Sequence, residues 1–300
     1  MGPLTVTRRH ALALAAGLVS LSRPARAVPP VRPRRIAAID WAALETVLAL
    51  GVVPVAATEL IQFRKTVVEP AVPDRVIDIG LRGTPNYEAL TLAEPDLILT
   101  SNYYEVQRRN LERVAETLSL SVYQPGLRPY PVAEEVTLTL GRLLGREAEA
   151  RAVVAATGAG IARLRDGLRG VARRPVLAIN FGDARHFRAF GGDSMFGEVL
   201  RRLGIENAWA TESSYSAAAP LGIEALARLP DAALIVVPPI PVAVTRALAD
   251  SALWQALPTV REKRVSTIGP VNHFGALPAA LRFARLVSAA LLRQEGRRHG

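Results

Sequence analysis

Cysteine is absent from all 300 residues. That excludes a disulfide framework, a thiolate metal site and a lipid anchor carried on a cysteine. Histidine is scarce, with four in the chain. His10 lies in the N-terminal leader and His299 in the tail, leaving His186 and His273. No HExxH, histidine cluster or Asp/Glu/His triplet offers a metal site. The chain also lacks a Walker loop, a dinucleotide fingerprint and a G-x-S-x-G elbow, and Gly192-Asp193-Ser194 has no base beside it. Lysine is confined to Lys65 and Lys263, so the net charge of +10 rests on arginines dispersed along the chain, often beside acids. No basic run of the kind a nucleic-acid arm requires is present. No apolar stretch reaches membrane-spanning length without charge. Nucleic-acid binding and membrane anchoring are therefore not expected, and no motif supports catalysis, although catalytic groups can converge from distant positions.

What is present begins with an export leader. Arg8-Arg9 precedes the apolar run Ala11–Leu21, and Ala25-Arg26-Ala27 follows as a small-x-small cleavage site. Thr7-Arg8-Arg9-His10-Ala11-Leu12 resembles a twin-arginine signal. Residues 1–27 are expected to be removed after Ala27, releasing a periplasmic protein. Losing Arg8, Arg9, Arg23 and Arg26 lowers the net charge from +10 to +6, with 33 basic against 27 acidic residues.

Val76–Ser101 is the most informative stretch. It reads as strand, loop, short helix, strand, and much of its second half returns in Ile223–Val237. Glu-Ala-Leu stands at Glu88–Leu90 and at Glu224–Leu226; Pro-Asp before an apolar strand stands at Pro95–Asp96 and Pro230–Asp231. The repetition points to two similar lobes with a cleft between them. The competing explanation is that Glu-Ala-Leu is common in helices.

Ile36–Ile39, Val52–Ala57, Val76–Ile79, Asp96–Thr100 and Ser121–Tyr123 read as strands. Asp40 caps a helix over Trp41–Leu50, and helices are predicted over Glu105–Leu118 and Val132–Leu144. The pattern restarts at Pro175–Phe181, continues through a helix Met195–Leu203, the second Glu-Ala-Leu helix and strands Leu234–Val237 and Arg264–Ile268, and closes with a helix Leu277–Leu292. Alternating strands and helices specify an α/β fold with largely parallel sheets. Glu147–Gly170 is the longest helix candidate, weakened or bent by Gly158 and Gly160. It is either a spine between lobes or an ordinary helix on one sheet. The expected organisation is a signal (1–27), an N-terminal lobe (28–146), a connecting helix (147–170) and a C-terminal lobe (171–300).

In open α/β sheets, ligands bind beyond the carboxyl ends of the strands. Arg82, Tyr103 and Tyr104 fall there in the first half, and Asn180–Arg185 and Asn272–Phe274 in the second; Tyr215 lies in the irregular stretch Thr211–Ala219. Arginine supplies several fixed donors, which suits a polar ligand with carbonyl or hydroxamate oxygens. Arg82 also reads as an ordinary surface arginine. Of the neighbours Tyr103 and Tyr104, one can point into a core.

Trp41 with Leu48–Gly51, Val76–Arg82, Pro85–Glu88, Asp183–His186, Phe190-Gly191 with Ser194 and Phe196, Gly204–Trp209 and Leu253–Pro258 together resemble the periplasmic substrate-binding proteins of iron–siderophore ABC importers, most nearly the ferric-hydroxamate-binding branch. The resemblance covers nearly the whole chain. It implies a class III periplasmic binding fold, two Rossmann-like α/β lobes on one long helix with a stiff hinge and a shallow ligand cleft. It implies no catalysis, no metal ligands and no intrinsic cofactor: the ligand is an iron(III)–siderophore complex whose iron the siderophore holds. Arg82 and Tyr104 match the pair that hydrogen-bonds the hydroxamate oxygens, with Trp41, Tyr103, Tyr215, Ser216, Asn272 and Phe274 around them. Glu88 and Glu224 match the lobe-tip glutamates by which such a protein, acting as a monomer, docks on the permease dimer that works with its ATPase subunits.

Where that branch has cleft tryptophans this chain has Thr66, Ser216 and Asn272. Tyr215 and Phe274 stand beside two of these positions and partly replace the lost surface. Other readings are a binder of cobalamin, haem or a catecholate siderophore, an exported α/β enzyme, or a sensor or scaffold of the same fold. A catecholate complex would call for several clustered arginines, and the sequence places only Arg82 on the rim.

Overall fold

The computed structural model describes residues 33, 35–171, 174–209 and 221–299, with side chains to 296. The signal and most of the leader, Tyr215 and Ser216 lie outside the described residues.

The N-terminal half runs β1 (Ile36–Ala38), α1 (Trp41–Ala49), β2 (Ala56–Ala57), α2 (Leu60–Thr66), β3 (Ile77–Asp78), β4 (Gly80–Leu81), β5 (Thr84–Pro85), α3 (Tyr87–Leu92), β6 (Leu97–Thr100), a 3₁₀ helix Asn102–Gln107, α4 (Arg108–Leu111), β7 (Glu116–Ser119) and α5 (Pro129–Leu144). Five strands form a sheet in the order β3-β2-β1-β6-β7, every pair parallel. Buried on both faces, β1 and β6 are continuous apolar runs. Asp40 caps α1 as expected, its Oδ1 accepting from Ala42 N at 2.8 Å and Ala43 N at 3.1 Å.

Directly after β6 the sequence reading fails. The expected helix Glu105–Leu118 stops at Leu111, and the strand is Glu116–Ser119, not Ser121–Tyr123. Thr100 pairs with Ser119 and Leu97 with Glu116. The backbone groups of β6 need this partner, and that tertiary demand overrides the local helical pattern.

The second half runs α6 (Glu147–Gly167), β8 (Val176–Phe181), β9 (His186–Ala189), α7 (Met195–Arg202), β10 (Leu221–Gly222), a 3₁₀ helix Ile223–Arg228, β11 (Ala233–Val236), α8 (Val242–Ala249), α9 (Ala252–Ala256), α10 (Pro258–Arg261), β12 (Val265–Thr267) and α11 (Leu277–His299). The sheet order is β10-β9-β8-β11-β12. β8, β11 and β12 are parallel, whereas β9 runs antiparallel to both its neighbours. Asp183 makes that reversal: its Oδ1 accepts from Arg185 N at 2.7 Å and His186 N at 2.9 Å, folding the chain back after β8. The second Glu-Ala-Leu is a 3₁₀ turn rather than an α-helix, yet like the first it leads into a buried strand.

α6 follows the first sheet and precedes the second, packing on α5, α7 and α11. It is unbroken through Gly158 and Gly160. Gly160 serves close packing instead: a Cβ there would lie 2.7 Å from Leu281 Cδ1 of α11. The largest apolar cluster takes Ile36, Leu97 and Tyr130 from the first half and Phe196, Phe283 and Val287 from the second. Phe196 and Phe283 stack at 4.0 Å within it. A core shared in this way resists relative movement of the lobes.

Candidate functional site

The parallel strands of the first sheet deliver their loops to one edge. β1 leads to Asp40 and Trp41, β2 to Thr58 and Glu59, β3 through the β4–β5 hairpin to Arg82, and β6 to Tyr103 and Tyr104. Glu59 has φ 51°, a left-handed conformation uncommon outside glycine. Held there, its carboxylate grips Arg82 twice. Glu59 Oε2 accepts from Arg82 Nε at 2.9 Å and Oε1 from Arg82 N at 3.1 Å. The guanidinium lies 4.0 Å from the Trp41 ring centroid, a cation–π contact. Trp41 is itself fixed, donating Nε1–H to Thr58 O at 3.1 Å and meeting Phe63 edge-on at 5.4 Å.

Arg82 also reaches the Tyr104 hydroxyl, whose pKa burial pushes up to about 12. Tyr104 is therefore a neutral O–H able to donate or accept. Asp40, buried behind this pair, accepts from Ser101 Oγ at 2.9 Å, and burial raises its carboxyl above the ordinary value. Arg82 thus presents its terminal donors from a platform that neutralises its charge and fixes its plane. Trp41, only 5 % exposed, serves as the floor beneath Arg82 rather than as an open ligand face.

An aromatic group spans both halves. Tyr103, 49 % exposed, meets Phe274 at 6.2 Å, and Phe274 meets Tyr123 at 5.6 Å. Tyr123 donates its hydroxyl to Gly275 O at 2.6 Å. A cavity of about 700 Å³ opens beside Tyr103, lined also by Tyr123, Leu127, Gly192 and Asp193. Of the two tyrosines, Tyr104 packs against a core and Tyr103 faces outward.

Asn272 does not line the cleft as expected. It is 4 % exposed, with Nδ2 donating to Glu45 Oε2 at 3.2 Å and Oδ1 accepting from Phe274 N at 3.2 Å. A buried amide must spend its polar atoms on fixed partners, and Asn272 spends them holding Phe274 in place. Thr66, at the end of α2, is half-buried and accepts from Gln62 Nε2 at 3.0 Å. His273 is held neutral: burial lowers its pKa to about 4, and its Nε2 meets Pro238 O at 2.8 Å.

One cleft residue was missed from sequence. Arg188, on β9, is half-buried and lies 5.5 Å from the Phe274 ring centroid. Only its place near the Asp183–His186 stretch hinted at it. Glu88 and Glu224 are both exposed, in the first turns of α3 and of the second 3₁₀ helix. Among the described residues no three His, Asp or Glu side chains gather as metal ligands, and no helix is long and apolar enough to cross a membrane.

The periplasmic binding protein family model matches residues 36–271. The chain is 31 % identical over 289 residues to the iron(3+)-hydroxamate-binding protein FhuD of Escherichia coli, covering 96 % of this chain and 97 % of that protein. FhuD from Vibrio cholerae, solved with Fe3+-Desferal bound, superposes with a TM-score of 0.83 at 27 % identity, covering 87 % of this chain and 99 % of that one. The fold extends to FeuA from Bacillus subtilis, complexed with ferri-bacillibactin, at a TM-score of 0.69 and 19 % identity over 88 % of this chain and 94 % of that one. The family match across both sheets and the near full-length identity establish that this chain belongs to the periplasmic binding protein family.

Proposed function

We propose that this chain is a binding protein for a ferric siderophore of hydroxamate type, which it captures in the periplasm and delivers to an ABC importer. It performs no catalysis on its cargo. The observation that carries this reading is Arg82, held by Glu59 at 2.9 Å and by the Trp41 ring at 4.0 Å, with the Tyr104 hydroxyl beside it at the cleft. A ferric trihydroxamate presents a rim of partly negative oxygens around its iron. Arg82, already balanced by Glu59, offers those oxygens oriented N–H donors without adding net charge. Tyr104 adds a neutral O–H beside them. The iron stays with its siderophore, which supplies all its ligands.

The 31 % identity to a hydroxamate-binding relative supports the same reading. Delivery rests on Glu88 and Glu224 as exposed contacts for a two-fold permease served by ATPase subunits, with the binding protein acting as a monomer. Export by the twin-arginine route, with cleavage after Ala27, completes the pathway. The test is titration of the mature protein with ferric desferrioxamine B, followed by tryptophan fluorescence and calorimetry. Saturable quenching is expected, because Trp41 lies directly beneath Arg82. The absence of both quenching and binding heat with every ferric hydroxamate tried would overturn the reading.

A further inference from the structure

We infer that Arg188 forms an anion-binding subsite of this cleft, so that the preferred ferric hydroxamate is one that also carries a free carboxylate. The inference rests on the function proposed above and adds the charge of the ligand to it.

The argument starts from how the molecule treats its other sheltered arginines. Arg82, Arg202, Arg264 and Arg282 have side chains 29 %, 29 %, 10 % and 13 % exposed, and each has a carboxylate within ion-pair distance: Glu59, Glu198, Glu262 and Glu69 respectively. Arg188 is the exception. It is half-buried, and no carboxylate pairs with it among the described residues. Its neighbours are the Phe274 ring at 5.5 Å, the Tyr103 phenol and the neutral His273. Burial disfavours its charged form, lowering its pKa. A guanidinium has five donors and no acceptor, and it stays charged at neutral pH even so. Sheltering it without a counter-charge is costly unless one arrives with the ligand.

Its position decides which ligand group that is. Arg188 pairs with Asn180 near the carboxyl end of β8, at the sheet edge where ligands enter. It lies over Phe274, and Phe274 faces Tyr103 of the other half. Its charge therefore lies beside the Phe274–Tyr103 contact, and Tyr103 adjoins Tyr104 in the chain. A ferric trihydroxamate centre is neutral, since three singly charged hydroxamates balance the iron, and Arg82 with Glu59 is neutral too. These two match each other and leave Arg188 over. A carboxylate on the siderophore frame supplies the missing charge, with the two-oxygen geometry a guanidinium binds well.

The test uses three ferric complexes with one iron centre and different arms: ferric desferrioxamine B with its terminal amine free, acetylated or succinylated. They carry one positive charge, none and one negative charge. The expected order of affinity is succinylated, acetylated, amine, spanning about tenfold or more. In Arg188→Gln the ratio between the succinylated and amine complexes should collapse toward one, and Arg188→Lys should restore most of it. Equal affinities in the unaltered protein, or a Gln variant that keeps the ratio, overturn the inference. If the Gln variant fails to fold, the unaltered protein decides: its preference for the succinylated arm must weaken as salt rises, and a salt-independent ratio overturns the inference. Binding of none of the three complexes would instead overturn the hydroxamate reading itself.

Discussion

Glu45 on α1 and Ala276 at the start of α11 are joined by a buried hydrogen bond, Ala276 N donating to Glu45 Oε1. Ala279 N donates to the same oxygen at 3.4 Å and Asn272 Nδ2 to Oε2 at 3.2 Å. A carboxyl group from the first half of the chain thus closes the N-terminal end of the last helix. There the unsatisfied N–H groups and the positive end of the helix dipole need an acceptor. The same Asn272 positions Phe274, so this junction and the ligand cleft share a residue.

A pH dependence follows from that burial. Burial raises the Glu45 pKa from 4.5 to about 8, against the pull of the three donors and with a further push from Asp40. The folded state therefore holds a proton that the unfolded chain releases above pH 4.5. The resulting stabilisation is complete below that pH and is lost as pH rises through about 8. Its scale is on the order of 3–5 kcal/mol. Thermal unfolding should show a midpoint that declines from pH 5 to pH 8, and Glu45→Gln should flatten the decline. An equally steep profile in the variant would refute the assignment.

Gly275 makes the junction possible. A Cβ on it would lie 2.3 Å from Ala279 Cβ and 2.6 Å from Glu45 Oε1. Its carbonyl also accepts the Tyr123 hydroxyl. Gly275→Ala should destabilise the protein by about 1–3 kcal/mol through overpacking. Differential scanning calorimetry checks this, and an unchanged midpoint would mean that the junction relaxes freely.

At the ligand face, Arg82→Ala should weaken ferric hydroxamate binding by about tenfold or more, the loss of a hydrogen bond from a charged donor. Arg82→Lys should rescue little, because an ammonium cannot grip Glu59, lie flat on Trp41 and reach the ligand together. Tyr104→Phe should cost less, about fivefold, since a single neutral bond is lost. Fluorescence titration of the three variants gives the order; a Lys variant equal to the unaltered protein would show that charge alone, not geometry, is recognised.

The parts legible in the sequence were those with local causes. β6 and β8 are apolar runs because both faces are covered, and α1 begins where Asp40 says it begins. The positions of Arg82, Tyr103 and Tyr104 just past strands of the first half were legible from the strand pattern, whereas singling out Arg82 with Tyr104 took the family resemblance. What stayed hidden depends on partners far along the chain. Asn272 reads as an open rim residue until Glu45, 227 positions away, takes its amide. β7 looks helical until β6 pairs with it. Arg188 sits on a strand of only four residues created by the Asp183 turn, so no periodicity announces it.

The repeated Glu-Ala-Leu yields the last prediction. Glu88 opens α3 ahead of β6, and Glu224 opens a 3₁₀ turn ahead of β11. Each is exposed, and neither forms an ion pair among the described residues. Each acid sits in a first helical turn, where its charge contributes only modestly, so surface replacement should shift stability by about 1 kcal/mol or less. Two equivalent carboxylates on two lobes suit a partner with two equivalent basic sites. The double replacement Glu88→Arg with Glu224→Arg should shift the unfolding midpoint only slightly and leave ligand affinity unchanged while abolishing siderophore-dependent iron uptake in cells. Each single replacement should reduce uptake only in part, because one contact persists. Full uptake by the double variant would remove both glutamates from the transporter interface and leave their repetition as a feature of helix starts alone.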